Sequence, residues 1–205
     1  VVGDPESSIY GGAVAAPVPL DGIRGDLTCK APLAKRVWFK SGGQADWLFE
    51  PADLADLRLF IERLGGQLPV MALGLGSNLI IRDGGVPGIV VRLGKPFMTA
   101  EPGEENTLTC GAGAPGVLVA STARDAGIAG LEFLRGIPGT VGGFIRMNGG
   151  AYGSEVADVL ETCDVILPGG EFVTLPAGDL GYSYRHSELP DGAIVVSARF
   201  RGRPG

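Results

Sequence analysis

From Gly136 to Gly153 glycine recurs too often for an ordinary helix or strand. The stretch runs Gly136-Ile137-Pro138-Gly139-Thr140-Val141-Gly142-Gly143 and continues to Met147-Asn148-Gly149-Gly150-Ala151-Tyr152-Gly153. Glycine lets backbone pack directly on a flat ligand, and Thr140, Asn148 and backbone amides are the expected donors. Ile137, Val141, Phe144 and Met147 punctuate the stretch with residues that favour burial, so it reads as an ordered wall rather than a linker. Glycine is abundant throughout, with 35 Gly and 15 Pro in 205 residues, near the level that signals disorder. The 45% hydrophobic content opposes that reading, since a chain this apolar can bury enough surface to offset the entropy of ordering. A globular protein with many tight turns is expected.

A net charge of −6 disfavours nucleic acid and acidic membrane surfaces as partners. No apolar run is long enough to span a bilayer, and no basic region followed by an apolar stretch opens the chain, so the expected compartment is the cytoplasm. Cys29, Cys110 and Cys163 are widely spaced without a CxxC, and His186 is the single histidine, which excludes a disulfide scaffold and a Cys/His zinc site.

Residues 1–30 lack periodicity and are expected to form a loosely ordered arm. After Pro51, the spacing of Leu54, Leu57, Ile61 and Leu64 predicts a helix over 52–64 that stops at Gly65. Strands are predicted at 68–73, 89–93, near 108 and at 193–200, a helix over 115–126, and a hairpin of 159–167 with 171–175 across Pro168-Gly169-Gly170. The pattern is α+β, in two lobes spanning 31–100 and 101–205.

A second glycine loop, Gly74-Leu75-Gly76-Ser77-Asn78-Leu79, can converge backbone amides on a diphosphate. It lacks the third glycine and the following helix of a dinucleotide fingerprint, and Gly94-Lys95-Pro96 lacks the Ser or Thr of a phosphate-binding P-loop. Alone, the loop reads equally well as a tight turn between buried strands. Two phosphate-compatible loops in one chain point to a long nucleotide ligand between the lobes.

Four segments, Trp38 to Asp46, Gly74 to Leu79, Gly130-Leu131-Glu132-Phe133 and Ile137 to Gly153, together resemble the FAD-dependent UDP-N-acetylenolpyruvoylglucosamine reductases, the MurB family, in order over residues 25–201. The resemblance implies the two-lobed FAD-binding fold of the vanillyl-alcohol oxidase (PCMH-type) kind. It also implies reduction of the enolpyruvyl ether of a UDP-sugar with NADPH, in peptidoglycan precursor synthesis. It places non-covalent FAD against Gly74, Leu75, Gly76, Ser77, Asn78 and Leu79, and against Ile137, Pro138, Gly139, Gly142, Gly143, Arg146, Asn148, Gly150, Ala151 and Tyr152. On the bare sequence Arg185 reads as a surface cation. The resemblance makes Tyr184 and Arg185 substrate-binding and Arg185 catalytic, its guanidinium holding the enolpyruvyl carboxylate as charge develops there. His186 receives no role.

Ser41, Arg135 and Gly149 depart from the family pattern, which carries Val, a small residue and Ala there, and Arg135 is expected either on a ligand phosphate or in solvent. The family's substrate domain, with its proton-donating serine, is expected after residue 201, so the chain reads as the flavin-binding portion of a longer protein. Two other readings stay open: a sugar or alcohol oxidase of the same fold, and a non-catalytic nucleotide-binding module.

Overall fold

The computed structural model describes residues 15–205, and it gives the apolar stripe after Pro51 the helix that its spacing predicts. In chain order the elements are β1 (Asp26–Pro32), β2 (Gln44–Glu50), α1 (Leu54–Leu64), β3 (Val70–Leu73), β4 (Val86–Arg92), β5 (Ala100–Pro102), β6 (Thr107–Gly111), α2 (Gly116–Asp125) and β7 (Ile128–Ala129). They continue with α3 (Val141–Arg146), β8 (Gly150–Ala151), β9 (Ser154–Glu155), β10 (Leu160–Ile166), β11 (Phe172–Pro176), β12 (Ile194–Arg201) and β13 (Arg203–Pro204).

Helix α1 begins where the Asp53 side chain accepts from the Asp56 amide, and it ends at Gly65 in the left-handed conformation. Its buried face carries Leu57, Phe60, Ile61 and Leu64. This face packs with Phe49, Ile89 and Val91 of one sheet and with Ile166, Ile194 and Val196 of the other, so one hydrophobic cluster joins the two sheets.

The first sheet has the order β1-β2-β4-β3. Strand β1 is antiparallel to β2, whereas β4 runs parallel to both β2 and β3. Alternation along the strands sends Phe49, Ile89 and Val91 towards α1, and Leu48 and Val90 to a second cluster with Leu33, Val37 and Ile81. Because β3 and β4 are parallel, their connection must cross back along the sheet. Residues 74–85 make that crossing, which places the Gly74–Leu79 loop at the carboxyl end of a parallel strand.

The second sheet has the order β11-β10-β12-β6-β5 and is antiparallel throughout. The expected hairpin forms as β10 and β11. A register shift between β10 and β12 near Asp164 and Val165 lets β12 serve two cores: Ile194 and Val196 face α1, while Val195, Ala198 and Phe200 join α2 and α3.

Two expectations need correction. Within the stretch read as a loose arm, residues 1–14 lie outside the described residues, but Val18 and Ile23 are buried beside α1 and β1 begins at Asp26. The apolar residues there follow no period because they anchor an irregular segment. The glycine wall also contains a short helix, α3, whose Val141, Phe144 and Ile145 are buried. A helical spacing of apolar residues was present, but the paired Gly142 and Gly143 hid it.

Candidate functional site

A cleft of about 1200 Å3 opens between the ends of the two sheets, larger than a typical small-molecule pocket. Of the residues assigned to a ligand from the sequence, all but Tyr152 line it. Tyr152 is exposed, and its ring lies where a side chain on Gly136 would project. Exposed Arg135 and His186 do not line it either.

One wall is the Gly74–Leu79 loop. Gly76 has φ +62°, and a Cβ there would come within 2.8 Å of Val37 Cα, so a larger residue is excluded by both conformation and space. A Cβ on Gly74 would sit 2.5 Å from Thr140 Oγ1, so this glycine allows the two loops to touch. The Ser77 hydroxyl completes the junction by donating to the Pro138 carbonyl at 2.7 Å. The backbone amides of Leu75, Gly76, Ser77 and Asn78 have no hydrogen-bond partner among the described residues. Clustered free amides of this kind form a cradle for an anion.

The facing wall is Gly136–Thr140, α3 and the turn into β8. Its amides contribute less than expected, because those of Val141 and Gly142 donate to the carbonyls of Ala114 and Ala112. Asn148 is likewise engaged: it is buried, its Oδ1 accepts from the Ala157 amide at 3.0 Å, and its Nδ2 donates to the Ser183 carbonyl at 3.3 Å. Arg146 donates to the carbonyls of Leu189, Pro190 and Ala193. Burial pulls its pKa down from the usual guanidinium value, and Asp191 partly offsets this. At Gly143 a Cβ would meet no atom within 4 Å and would project into the cleft.

The mouth is set by a tight turn. Ser183 and His186 exchange two backbone hydrogen bonds at 3.2 Å, leaving Tyr184 and Arg185 at the tip. Arg185 has φ +55°, a conformation that disfavours a residue bearing a Cβ and that persists where the surroundings hold it. Its Nη2 donates to Asn78 Oδ1 at 3.0 Å, joining residues 107 positions apart across the opening. Sequence reasoning missed the acidic lining of Glu155, Asp158 and Asp191. No motif marked these residues, since capping and turn positions bring them to the cleft.

A family model described as FAD binding domain matches residues 45–176, which contain α1, α2, α3, the Gly74–Leu79 loop and the Gly136–Gly153 stretch. The chain belongs to the FAD binding domain family. The cleft suits that cofactor in size, in the free amides of one wall and in the unfilled space above Gly143. This FAD binding domain is 75% identical over 194 residues to the UDP-N-acetylenolpyruvoylglucosamine reductase of Erythrobacter litoralis, a match covering 95% of the chain and 60% of that relative. The solved structure of the Thermus caldophilus reductase, MurB, is 35% identical with a TM-score of 0.73, over 88% of the chain and 64% of that protein. A xylooligosaccharide oxidase from Myceliophthora thermophila shares the fold at 18% identity, with a TM-score of 0.63, over 90% of the chain and 42% of the oxidase. The resemblance to MurB drawn from the motifs is thus borne out, and so is the two-lobed fold shared with oxidases. The chain spans about 60% of the length of the curated relatives it matches. No helix among the described residues is long and apolar enough to cross a membrane.

Proposed function

We propose that the chain is the flavin-binding part of a UDP-N-acetylenolpyruvoylglucosamine reductase, working in the cytoplasm with non-covalent FAD and with NADPH as reductant. The observation that carries this reading is the placement of Arg185 at the cleft mouth, bonded to Asn78 of the glycine loop and held in a left-handed turn. The amides of Leu75–Asn78 would hold the cofactor's diphosphate, and the face of Gly143 would leave room for its body. When bound, FAD would supply the hydride for reduction of a carbon–carbon double bond.

The chain's own residues would bind and orient the other reactant. Arg185 presents a planar pair of donors suited to a carboxylate, and an enolpyruvyl ether carries its carboxylate next to the double bond. As negative charge grows towards that carboxylate, a guanidinium already fixed by Asn78 stabilises it without reorganising. Exposed Tyr184 beside it would pack on the sugar or its ether. The additional length of the relatives is the proposed source of the proton that completes the reduction.

The same geometry weighs against an oxidase with covalently attached flavin. Such attachment needs a His or Cys facing the cofactor, and neither His186 nor any of Cys29, Cys110 and Cys163 lines the cleft. The purified chain should show a flavin spectrum, release the flavin on acid precipitation and bleach anaerobically with NADPH, and the colour should recover on addition of UDP-N-acetylenolpyruvoylglucosamine only when the chain is joined to the additional length that its relatives carry. A colourless protein that takes up no added FAD would leave a non-redox nucleotide-binding module as the reading.

A further inference from the structure

We propose that Arg146 is a positioning residue: with Asn148 it clamps the segment that carries the Tyr184-Arg185 turn, and its guanidinium is not a ligand for the cofactor's phosphates. The inference rests on the reading of Arg185 as the group that meets the substrate carboxylate, and it extends that reading to the residues that hold Arg185 in place.

Between Leu180 and Ile194 the chain crosses the cleft mouth without a regular strand. Residues 146–148 stitch it down. Arg146 Nη1 donates to the Leu189 carbonyl at 2.8 Å, and Nη2 donates to those of Pro190 at 3.1 Å and Ala193 at 2.8 Å. The Arg146 carbonyl accepts from Ser187 Oγ at 2.8 Å, and Asn148 Nδ2 holds the Ser183 carbonyl. These contacts bracket the turn on both sides, from Ser183 before it to Ser187 and Leu189 after it. A guanidinium suits this task because its donors lie in one plane and can reach several carbonyls at once, whereas an ammonium offers no such fork. The carbonyls also engage the Arg146 donors that a phosphate would otherwise recruit. Arg185 needs such bracing because its left-handed backbone relaxes unless the neighbouring chain is fixed.

The test compares Arg146→Met, Arg146→Lys, Arg185→Met and the Arg146→Met/Arg185→Met double variant, all loaded with FAD. Amide hydrogen exchange at Ser183 and His186 reports the clamp directly. Calorimetric binding of UDP-N-acetylenolpyruvoylglucosamine against its enolpyruvyl methyl ester reports how well Arg185 reads a carboxylate. Arg146→Met should speed exchange at Ser183 and His186 about tenfold or more while β10 and β12 stay protected, with Arg146→Lys intermediate. It should also lower the preference for the acid over the ester to the level of Arg185→Met, and the double variant should be no worse than Arg185→Met alone. Unchanged exchange at the turn overturns the proposal. So does a loss of FAD and of both ligands in equal proportion with the preference kept, the pattern of a phosphate ligand. If Arg146→Met does not fold, Arg146→Lys and Ser187→Ala carry the same comparison. If Arg185→Met itself keeps the preference for the acid, the proposed role of Arg185 fails, while the exchange rates still decide the clamp.

Discussion

Glycines that look alike in the sequence serve opposite purposes in the cleft. At Gly74 a methyl group would collide with Thr140 of the facing loop, whereas at Gly143 it would meet no protein atom. Gly143→Ala should therefore leave the ligand-free protein as stable as before or raise its stability by up to about 1 kcal/mol, since alanine is the better helix residue. The same change should weaken FAD binding about tenfold or more, measured by flavin fluorescence quenching. Unchanged affinity would mean that the ligand lies elsewhere.

Two buried cysteines make a second prediction at this scale. Burial pushes the Cys110 and Cys163 thiols up to about 12, from an ordinary value of 9.0. Above pH 9 the unfolded chain ionises these thiols first and so binds fewer protons than the folded one, and stability must fall as pH rises towards 12. Urea unfolding across that window should show the fall, with a shallower slope in Cys110→Ala. Single residues were also where the sequence was least informative. Arg146 and Asn148 were legible as polar groups in a glycine-rich wall, but the carbonyls to which their side chains donate lie 35 to 47 residues away and no local pattern encodes them.

Elements were legible wherever one face is apolar and the other wet. Helix α1 follows its sequence spacing because burial on one side imposes the period, whereas β10 and β12 were legible as short apolar runs, with Val165 and Ile166, and Val195 and Val196, buried in different clusters. The segment before β1 was not legible, since Val18 and Ile23 pack from irregular backbone. Helix α3 was missed because its propensity is poor and its helical state is imposed by the contacts of Val141, Phe144 and Ile145. Asp56 shows how one element fixes another: from the first turn of α1 its carboxylate accepts from the amides of Arg24, Gly25 and Ala52, tying the entry to β1 onto the helix. Asp56→Ala leaves these donors without a partner in a site where the aspartate is 1% exposed, and it should cost about 3 kcal/mol in chemical denaturation. Asp53→Ala, which removes an exposed cap, should cost about 1 kcal/mol.

At the scale of the molecule, the two sheets share the cluster around α1. They should unfold together. Trp38 and Trp47 both lie in or beside the first sheet, so their fluorescence reports that lobe, while far-ultraviolet circular dichroism reports both. The two signals should give one coincident transition in guanidinium chloride, and an earlier fluorescence transition would show that the lobes are separable.

The strand order of the second sheet also bears on how the protein is made. Strand β12 follows every other strand of that sheet in the sequence yet lies at its centre, between β10 and β6. On the ribosome both neighbours must therefore wait, each with an open hydrogen-bonding edge, until residues 194–201 have left the exit tunnel. The wall that carries the Tyr184-Arg185 turn is completed only then, so the nascent chain passes through a stage in which the glycine loop of the first sheet exists and its counterpart does not. Chaperone protection matters most in that interval, when unpaired edges invite association with other chains.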